Sequence, residues 1–308
     1  MNVEEFFPEG EWAADGEYVI SCPFCKDHPT HSHCYINLDK KVFCCHFCGE
    51  KGTLKQLLKE YGATGEPEPR EGVTEKKKYE PVDFSKFPRV TGCVESNLDM
   101  LAFAYLKSRG IGWDEITAYD IRFSDSGRYY GRVLVPIYEG GKLVNFIGRS
   151  FMDVIKPKYL FPHTGETLLT QNEAVFGYEE ALKGECGAVV ITEGVFDAMA
   201  VNKIADIRGV AILSSYLSDG QYRKLMRLPR SIAYFVSLDA DAHRHAVKIA
   251  KKLHNGDRNV AVVLLQQGDP ASLSKEELVA ALGAAEPFFF ETELNIMTPD
   301  YKREKLVK

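Results

Sequence analysis

Six of the eight cysteines of this 308-residue chain fall between residues 22 and 48. Among them are two C-x2-C pairs, Cys22-Pro-Phe-Cys25 and Cys45-His-Phe-Cys48, separated by 19 residues. One tight loop bearing two thiolates offers half of a tetrahedral site, and two such loops complete the coordination of one Zn²⁺. In a reducing compartment, cysteines crowded in this way read as metal ligands before disulfides. Residues 1–63 are therefore expected to form a small zinc ribbon around one structural zinc held by Cys22, Cys25, Cys45 and Cys48. Cys34 to Leu38 and Lys41 to Cys45 read as two strands turning at Asp39-Lys40, followed by a helix over 53–61. His28, His31, His33, Cys34, Cys44 and His46 are competing donors nearby. Cys44 would break the two-residue spacing and face away from Cys45 on the same strand. Cys34 and Cys44 are accordingly read as small core hydrophobes, and Cys93 and Cys186 as buried thiols.

A composition of 45% hydrophobic and 27% charged residues suits a soluble globular protein of two or three modules. The formal net charge of -6 argues against a polyanionic partner, but net charge hides distribution. Residues 121–160 carry Arg122, Arg128, Arg132, Lys142, Arg149, Lys156 and Lys158 against Asp125, Glu139 and Asp153. The start has neither a basic nor an apolar leader-like region, and no run approaches the ~18 apolar residues that span a bilayer. The expectation is a cytoplasmic protein with no membrane partner. Residues 64–90, rich in Gly, Pro, Glu and Lys, read as a flexible tether.

Beyond the tether, residues 91–183 combine two short helices with a hairpin, Arg132 to Tyr138 and Leu143 to Arg149, turning at Gly140-Gly141. From 184 to 290, strands near 188–192, 210–213, 232–238 and 260–265 alternate with helices near 195–203, 219–227, 243–254 and 274–282. That alternation is the pattern of a parallel-type α/β sheet. The chain is thus expected to be multidomain, α+β and α/β, with a tail at 291–308. Acidic groups sit where the strands end: Glu193 after the first, Asp239 and Asp241 after the third, Asp269 after the fourth. Asp197 follows Glu193 by one helical turn. In an extended segment Asp239 and Asp241 point to the same side and could grip one hard cation. Solvated loop residues and helix caps are the bland alternative for such acids. His243 and His245 read as surface residues at a helix start. No G-x4-G-K-[ST] occurs, so no helicase motor is expected in this chain.

The order strand, Glu193-Gly, helix, strand, Asp239-x-Asp241 resembles the TOPRIM domain shared by primases, topoisomerases and some nucleases. The cysteine segment, from Cys22-Pro-Phe-Cys25 to Cys45-His-Phe-Cys48-Gly and the helix after it, resembles the zinc-binding domain of bacterial and phage DnaG-type primases. Between them, Tyr105-Leu-x-x-Arg-Gly-Ile, Gly131-Arg-Val-Leu-Val-Pro-Ile, Ile147-Gly-Arg and Pro157-Lys-Tyr-Leu resemble the basic subdomain that precedes TOPRIM in that family. The resemblance implies a primase that makes short RNA primers de novo from ribonucleoside triphosphates on single-stranded DNA, with its zinc domain gripping the template. It implies Glu193, Asp239 and Asp241 as catalytic residues, joined by Asp269 and Asp197 in holding two or more Mg²⁺ or Mn²⁺ ions. Such ions neutralise the triphosphate and activate the 3′ hydroxyl; Glu193 would be either a ligand or a general base. Arg132, Arg149 and Lys158 would face template or incoming triphosphate. A replicative helicase would act in trans, since 291–308 is too short for a helicase-binding domain, and the setting would be a bacterial cytoplasm, with a phage as one source. The chain departs from the family at Cys25, commonly His, at Phe161, commonly Asn, and at Gln171, commonly Lys, which puts one phosphate contact in doubt. A TOPRIM-type nuclease and a non-catalytic single-strand-binding zinc protein are the alternatives.

Overall fold

The computed structural model describes residues 2–13, 17–24, 32–45, 48, 50–63, 65, 67 and 79–289. The chain divides into two compact units, Met1–Lys78 and Tyr79–Lys308.

The first unit begins with α1 (Val3–Phe6) and continues as a five-stranded antiparallel meander: β1 (Glu11–Trp12), β2 (Tyr18–Ser21), β3 (Ser32–Asn37), β4 (Val42–Cys45) and β5 (Lys51–Thr53). Helix α2 (Leu54–Glu60) follows directly, capped by Thr53, whose side chain accepts from Gln56 N–H while Gln56 reaches back. Leu54, Leu57 and Leu58 recur at helical spacing and are all buried. They pack on Tyr18, Ile36 and Phe43, the inward residues of three successive strands. Strand alternation decides the fate of the cysteines on β4: Cys45 faces the core and Cys44 the half-exposed side.

The second unit starts earlier than the Gly/Pro/Lys-rich composition suggests. The expected tether runs to residue 90, but its end is built into the unit: Phe84 is buried against Leu134, Tyr129 and Phe146. Arg122 donates to the Ser85 and Phe87 carbonyls at 3.0 and 2.9 Å. The tether signal lay in its prolines and charges, whereas Val82, Phe84 and Phe87 are the residues that anchor it. Helices α3 (Asn97–Ser108) and α4 (Trp113–Ala118) come next. The buried carboxylate of Asp99 accepts from Thr91, Gly92 and Cys93 N–H groups at 2.8–3.1 Å, tying the entry loop to α3.

Strands β6 (Arg122–Ser124), β7 (Arg132–Glu139), β8 (Lys142–Ser150) and β9 (Tyr159–Leu160) form an antiparallel sheet in chain order. The β7–β8 turn places Gly140 and Gly141 at φ 59° and 68°, the left-handed pair that a two-residue hairpin favours. Residues of β7 are buried on both faces. Val133, Val135 and Ile137 enter one core, and Leu134 enters the one closed by Phe84.

Then come α5 (Tyr178–Leu182), β10 (Ala188–Thr192), α6 (Val195–Val201), β11 (Ile207–Ala211), α7 (Asp219–Leu225), β12 (Ala233–Val236), α8 (His243–His254), β13 (Val260–Val262), α9 (Lys275–Gly283) and β14 (Glu286–Pro287). The sheet order is β11-β10-β12-β13-β14, parallel except for the antiparallel β14. Alternation along β10 sends Val189 and Ile191 to the core with α7 and α8, and Val190 to the core with α6 and α9. The outer side of β11 is bridged at Ala211 by Phe176. The subdomains expected at 91–183 and 184–290 adjoin through one core, in which Val133, Val135 and Ile137 meet Val195, Phe196, Met199 and Ala211.

Candidate active site and metal centre

The chain runs from β10 outward to β11 on one side, while β12 joins on the other, so the strand order reverses at β10. Open α/β sheets bind their ligands at the carboxyl ends of strands at such a reversal. Glu193 follows β10 and Asp239 lies three residues past β12. Backbone bonds fix both segments: Leu213 N–H to the Glu193 carbonyl at 2.9 Å and Ser237 N–H to the Ile191 carbonyl at 3.0 Å. Leu213 holds φ 63°, a left-handed conformation uncommon for leucine, at the lip of this crevice.

A cavity of about 160 Å³ opens there, lined on one wall by Glu193, Asp197, Asp239 and Asp269, and on the other by Arg109, Arg149 and Lys158. Burial first, then the charges of Asp239 and Asp241, push Glu193 up to about 7. Asp239 is raised by burial and by Asp269 and Asp241. Asp197 is pushed up to about 7 by burial and by Asp269, against the lowering effect of two N–H donors. Those donors, Gly194 and Ala271, both at 3.1 Å, make Asp197 a brace between the start of α6 and the turn carrying Asp269. A Cβ at residue 194 would lie 2.7 Å from Asp197 Oδ2, so a larger residue there would shift the carboxylate.

Asp239 and Asp241 do not lie in an extended segment and so do not point to one side as expected. β12 ends at Val236, and residues 239–242 form a turn closed by Ala242 N–H on the Asp239 carbonyl at 2.8 Å. The turn still brings Asp241 close enough to raise its neighbours, but it is exposed and stands outside the cavity lining. His243 and His245, read as surface residues, are half-buried at the start of α8.

The cationic wall also departs from expectation. Arg149 lines the cleft with its guanidinium 4.4 Å over the Tyr159 ring. It is 5% exposed, and its Nε is buried without a hydrogen-bond partner. Lys158 is exposed at the same wall, its ammonium lowered chiefly by the Arg149 charge. Arg132 is elsewhere: 3% exposed, it donates to the Pro157 carbonyl at 2.7 Å and the Tyr130 carbonyl at 3.3 Å. It braces the loop before β9 and is not part of the cavity lining. Arg109 takes the third cationic place. It stands just past α3, its guanidinium 5.6 and 5.9 Å from the Tyr105 and Phe196 rings. Its position in Tyr105-Leu-x-x-Arg-Gly-Ile was the available signal. Gln171 spends its amide on the Leu213 carbonyl at 2.7 Å, while Phe161 adds an apolar edge to the cleft.

In the first unit, the sulfurs of Cys22, Cys45 and Cys48 all lie within 4.8 Å of one another. The Cys22 and Cys48 sulfurs are 3.8 Å apart, close to the edge of about 3.8 Å that follows from Zn–S bonds of about 2.3 Å in a tetrahedron. Cys48 N–H points at the Cys45 sulfur at 3.5 Å. Cys25 lies outside the described residues, as do His28, His31 and His46. Cys34 pairs with Cys45 across β3 and β4 and is fully buried, its thiol pushed up by burial and by Cys22 and Cys45. Cys44 is half-buried, and Cys93, expected to be buried, is exposed. The donor set fits a soft divalent metal. The carboxylates of the cleft, which include an Asp269 Oδ1 that is buried without a partner, fit a hard one.

No family model matches the chain. It is similar to the DNA primase of Thermotoga maritima, 27% identical over 84% of this chain and 54% of that one. It is 25% identical to the DNA primase of Pseudomonas putida over 84% of this chain and 48% of that one. The chain thus spans about half the length of these relatives. In fold it is similar to a DnaG primase catalytic domain bound to single-stranded DNA, with a TM-score of 0.57 and 21% identity over 71% of this chain and 83% of that one. It also matches the zinc-binding and RNA polymerase domains of the Aquifex aeolicus primase, with a TM-score of 0.53 and 20% identity over 98% and 86% of the two chains. Among the described residues no helix is long and apolar enough to cross a membrane. The chain is thus similar in sequence to bacterial DNA primases and in fold to the solved domains of DnaG-type primases.

Proposed function

We propose that this protein is a primase that synthesises short RNA primers de novo on single-stranded DNA from ribonucleoside triphosphates. The observation that carries the reading is the opposed walls of the cleft. Arg149 is buried with no hydrogen bond among the described residues, and it faces carboxylates that crowd and burial keep from ionising freely. A polyphosphate satisfies the arginine, and divalent cations satisfy the carboxylates.

Glu193, Asp239 and Asp269 would hold Mg²⁺ or Mn²⁺, with Asp241 adding charge from the rim and Asp197 bracing the turn. When bound, such ions neutralise the triphosphate and lower the pKa of the attacking hydroxyl. Arg109, Arg149 and Lys158 orient the phosphates. Tyr159 holds the Arg149 guanidinium by stacking, so the cation is placed before the ligand arrives. In the first unit, Cys22, Cys45 and Cys48 with Cys25 would hold one structural zinc and so stabilise a sheet that grips the template. Unwinding falls to a helicase acting in trans.

The test is de novo synthesis from labelled ribonucleotides on short single-stranded templates with Mg²⁺, comparing the unaltered chain with Glu193→Gln and Asp239→Asn. Short ribonucleotide products lost in both variants support the reading. Template cleavage without synthesis would replace it with a nuclease, and template binding with neither activity would replace it with a non-catalytic binding protein.

A further inference from the structure

Helix α8 is the one α-helix among the described residues that contains no aspartate or glutamate. It carries Arg244, Lys248, Lys251, Lys252 and three histidines, in a chain whose acids outnumber its lysines and arginines 44 to 38. Ala246, Val247, Ile249, Ala250 and Leu253 turn inward to the core of the sheet. On the opposite stripe, at i, i+4 and i+7, stand Arg244, Lys248 and Lys251, all exposed. Lys252 flanks the stripe and is tied to α7, donating to Asp219 Oδ1 at 2.6 Å and to the Leu217 carbonyl at 3.1 Å. Arg244 and Lys248 form no hydrogen bond or ion pair among the described residues.

Folding alone disfavours this layout. The free N–H groups at a helix start carry partial positive charge, yet the first turn of α8 holds His243, Arg244 and His245 with no acid, and Ala242 supplies no side-chain cap. Arg244 and Lys248, and Lys248 and Lys252, are like charges four residues apart, which repel along a helix. A face that is only solvated needs no single sign. The neighbouring helices α7 and α9 show the ordinary arrangement, opening on Asp219 and on Glu276 and Glu277. An external polyanion turns the same repulsion into attraction.

The ridge begins two residues past Asp241, at the rim of the cleft on its carboxylate side. Arg109, Arg149 and Lys158 belong to the opposite wall. From Arg244 to Lys251 the helix advances about 10 Å, the length of about three nucleotides of a stacked strand at 3.4 Å each. Two acids close to α8 are already engaged, Asp219 with Lys252 and Asp257 with Arg230.

We propose that the exposed face of α8 is a second binding surface for single-stranded DNA, which carries the strand past the carboxylate side of the cleft. Its phosphates meet Arg244, Lys248 and Lys251 in charge-assisted contacts. The identity of the strand rests on the proposed function, whereas the surface is tested by binding and needs no synthesis.

The test is fluorescence anisotropy of a labelled single-stranded oligonucleotide of about 24 nucleotides, titrated with the full chain at several KCl concentrations, beside thermal unfolding of each variant. Arg244→Glu places an acid in the first turn and four residues before Lys248, both favourable to the helix. Its thermal transition should hold or rise, while DNA affinity falls and the slope of log affinity against log salt drops by about 0.7 or more. The triple variant Arg244→Gln, Lys248→Gln, Lys251→Gln should weaken binding by about tenfold or more and reduce the slope by about 2. Lys183→Glu makes the same change of charge at an exposed site ahead of β10, at the far end of the strands from the cleft, and should leave affinity within about twofold. Unchanged affinity and slope in the triple variant would return α8 to a solvated face and overturn the proposal. An equal loss in Lys183→Glu would reduce the effect to net charge, and a loss confined to duplex DNA of the same length would exclude the single strand. Capture of poly-glutamate by the unaltered chain but not by the triple variant, with DNA binding unchanged, would assign the ridge to an acidic protein instead. Ridge-dependent DNA binding in a chain that synthesises nothing would overturn the catalytic reading and leave this surface standing.

Discussion

Replacing Glu193 by glutamine is expected to stabilise the metal-free protein at neutral and alkaline pH while abolishing synthesis. Burial and the neighbouring charges of Asp239 and Asp241 push this carboxyl from 4.5 up to about 7. In the unfolded chain a glutamate ionises near about 4.3. Between those two pH values the folded state keeps a proton that the unfolded state has released, so stability falls as pH rises and levels off above about pH 7. The full difference converts to about 4 kcal/mol at about 1.4 kcal/mol per tenfold. Glu193 is only half-buried, and solvent screening reduces the gain to about 1–2 kcal/mol. Glutamine keeps the shape and removes the charge, so the variant should recover that amount. Urea unfolding without divalent cations at about pH 8 should show Glu193→Gln more stable than the unaltered chain by about 1–2 kcal/mol, and at about pH 4.5 the two should nearly coincide. Mg²⁺ should raise the stability of the unaltered chain and move the variant less, because binding to the folded state alone is stabilising. A variant equal to or weaker than the unaltered chain at about pH 8 would refute the claim that the cleft holds its carboxylates in mutual repulsion.

Two further substitutions separate the arginines. Arg132→Ala leaves two carbonyls without their donor and should cost about 2–3 kcal/mol of stability in urea unfolding, with the salt dependence of single-stranded DNA binding unchanged. Arg149→Ala should leave stability nearly intact, weaken DNA or triphosphate binding, and reduce the slope of log affinity against log salt by about one contact. For the metal centre, Cys45→Ser should release about one equivalent of zinc and lower the thermal transition of the first unit, whereas Cys34→Ala should retain the zinc. Loss of zinc in Cys34→Ala would make Cys34 a ligand.

The carboxylate wall could be read in the sequence because apolar strand runs are short and their ends are sharply marked. Glu193 closes Ala188–Thr192, and Asp269 follows the run that begins at Val260. The basic wall could not be read as well. An arginine at a strand end has the same local sequence whether it braces a carbonyl, as Arg132 does, or faces a ligand, as Arg149 does. Arg109 escaped because what delivers it is the packing of α3 on Phe196, a contact between residues far apart in sequence. The two-residue β14 carries no periodicity of its own and exists only because β13 offers it an edge. Phe84 and Phe87 lay in a stretch whose prolines and charges signalled a tether, and burial against β7 and β8 overrode that signal.

The two rims of the parallel sheet bear on the colloidal behaviour of the protein. Exposed strand edges are templates for pairing between copies, and proteins that leave them open are prone to polymerise. Here one rim ends in a strand of two residues, the second a proline that has no N–H to give. The other is capped at Ala211 by the segment through Phe176. On the proposed reading, copies gathered along one single-stranded template would offer each other little sheet edge on which to join.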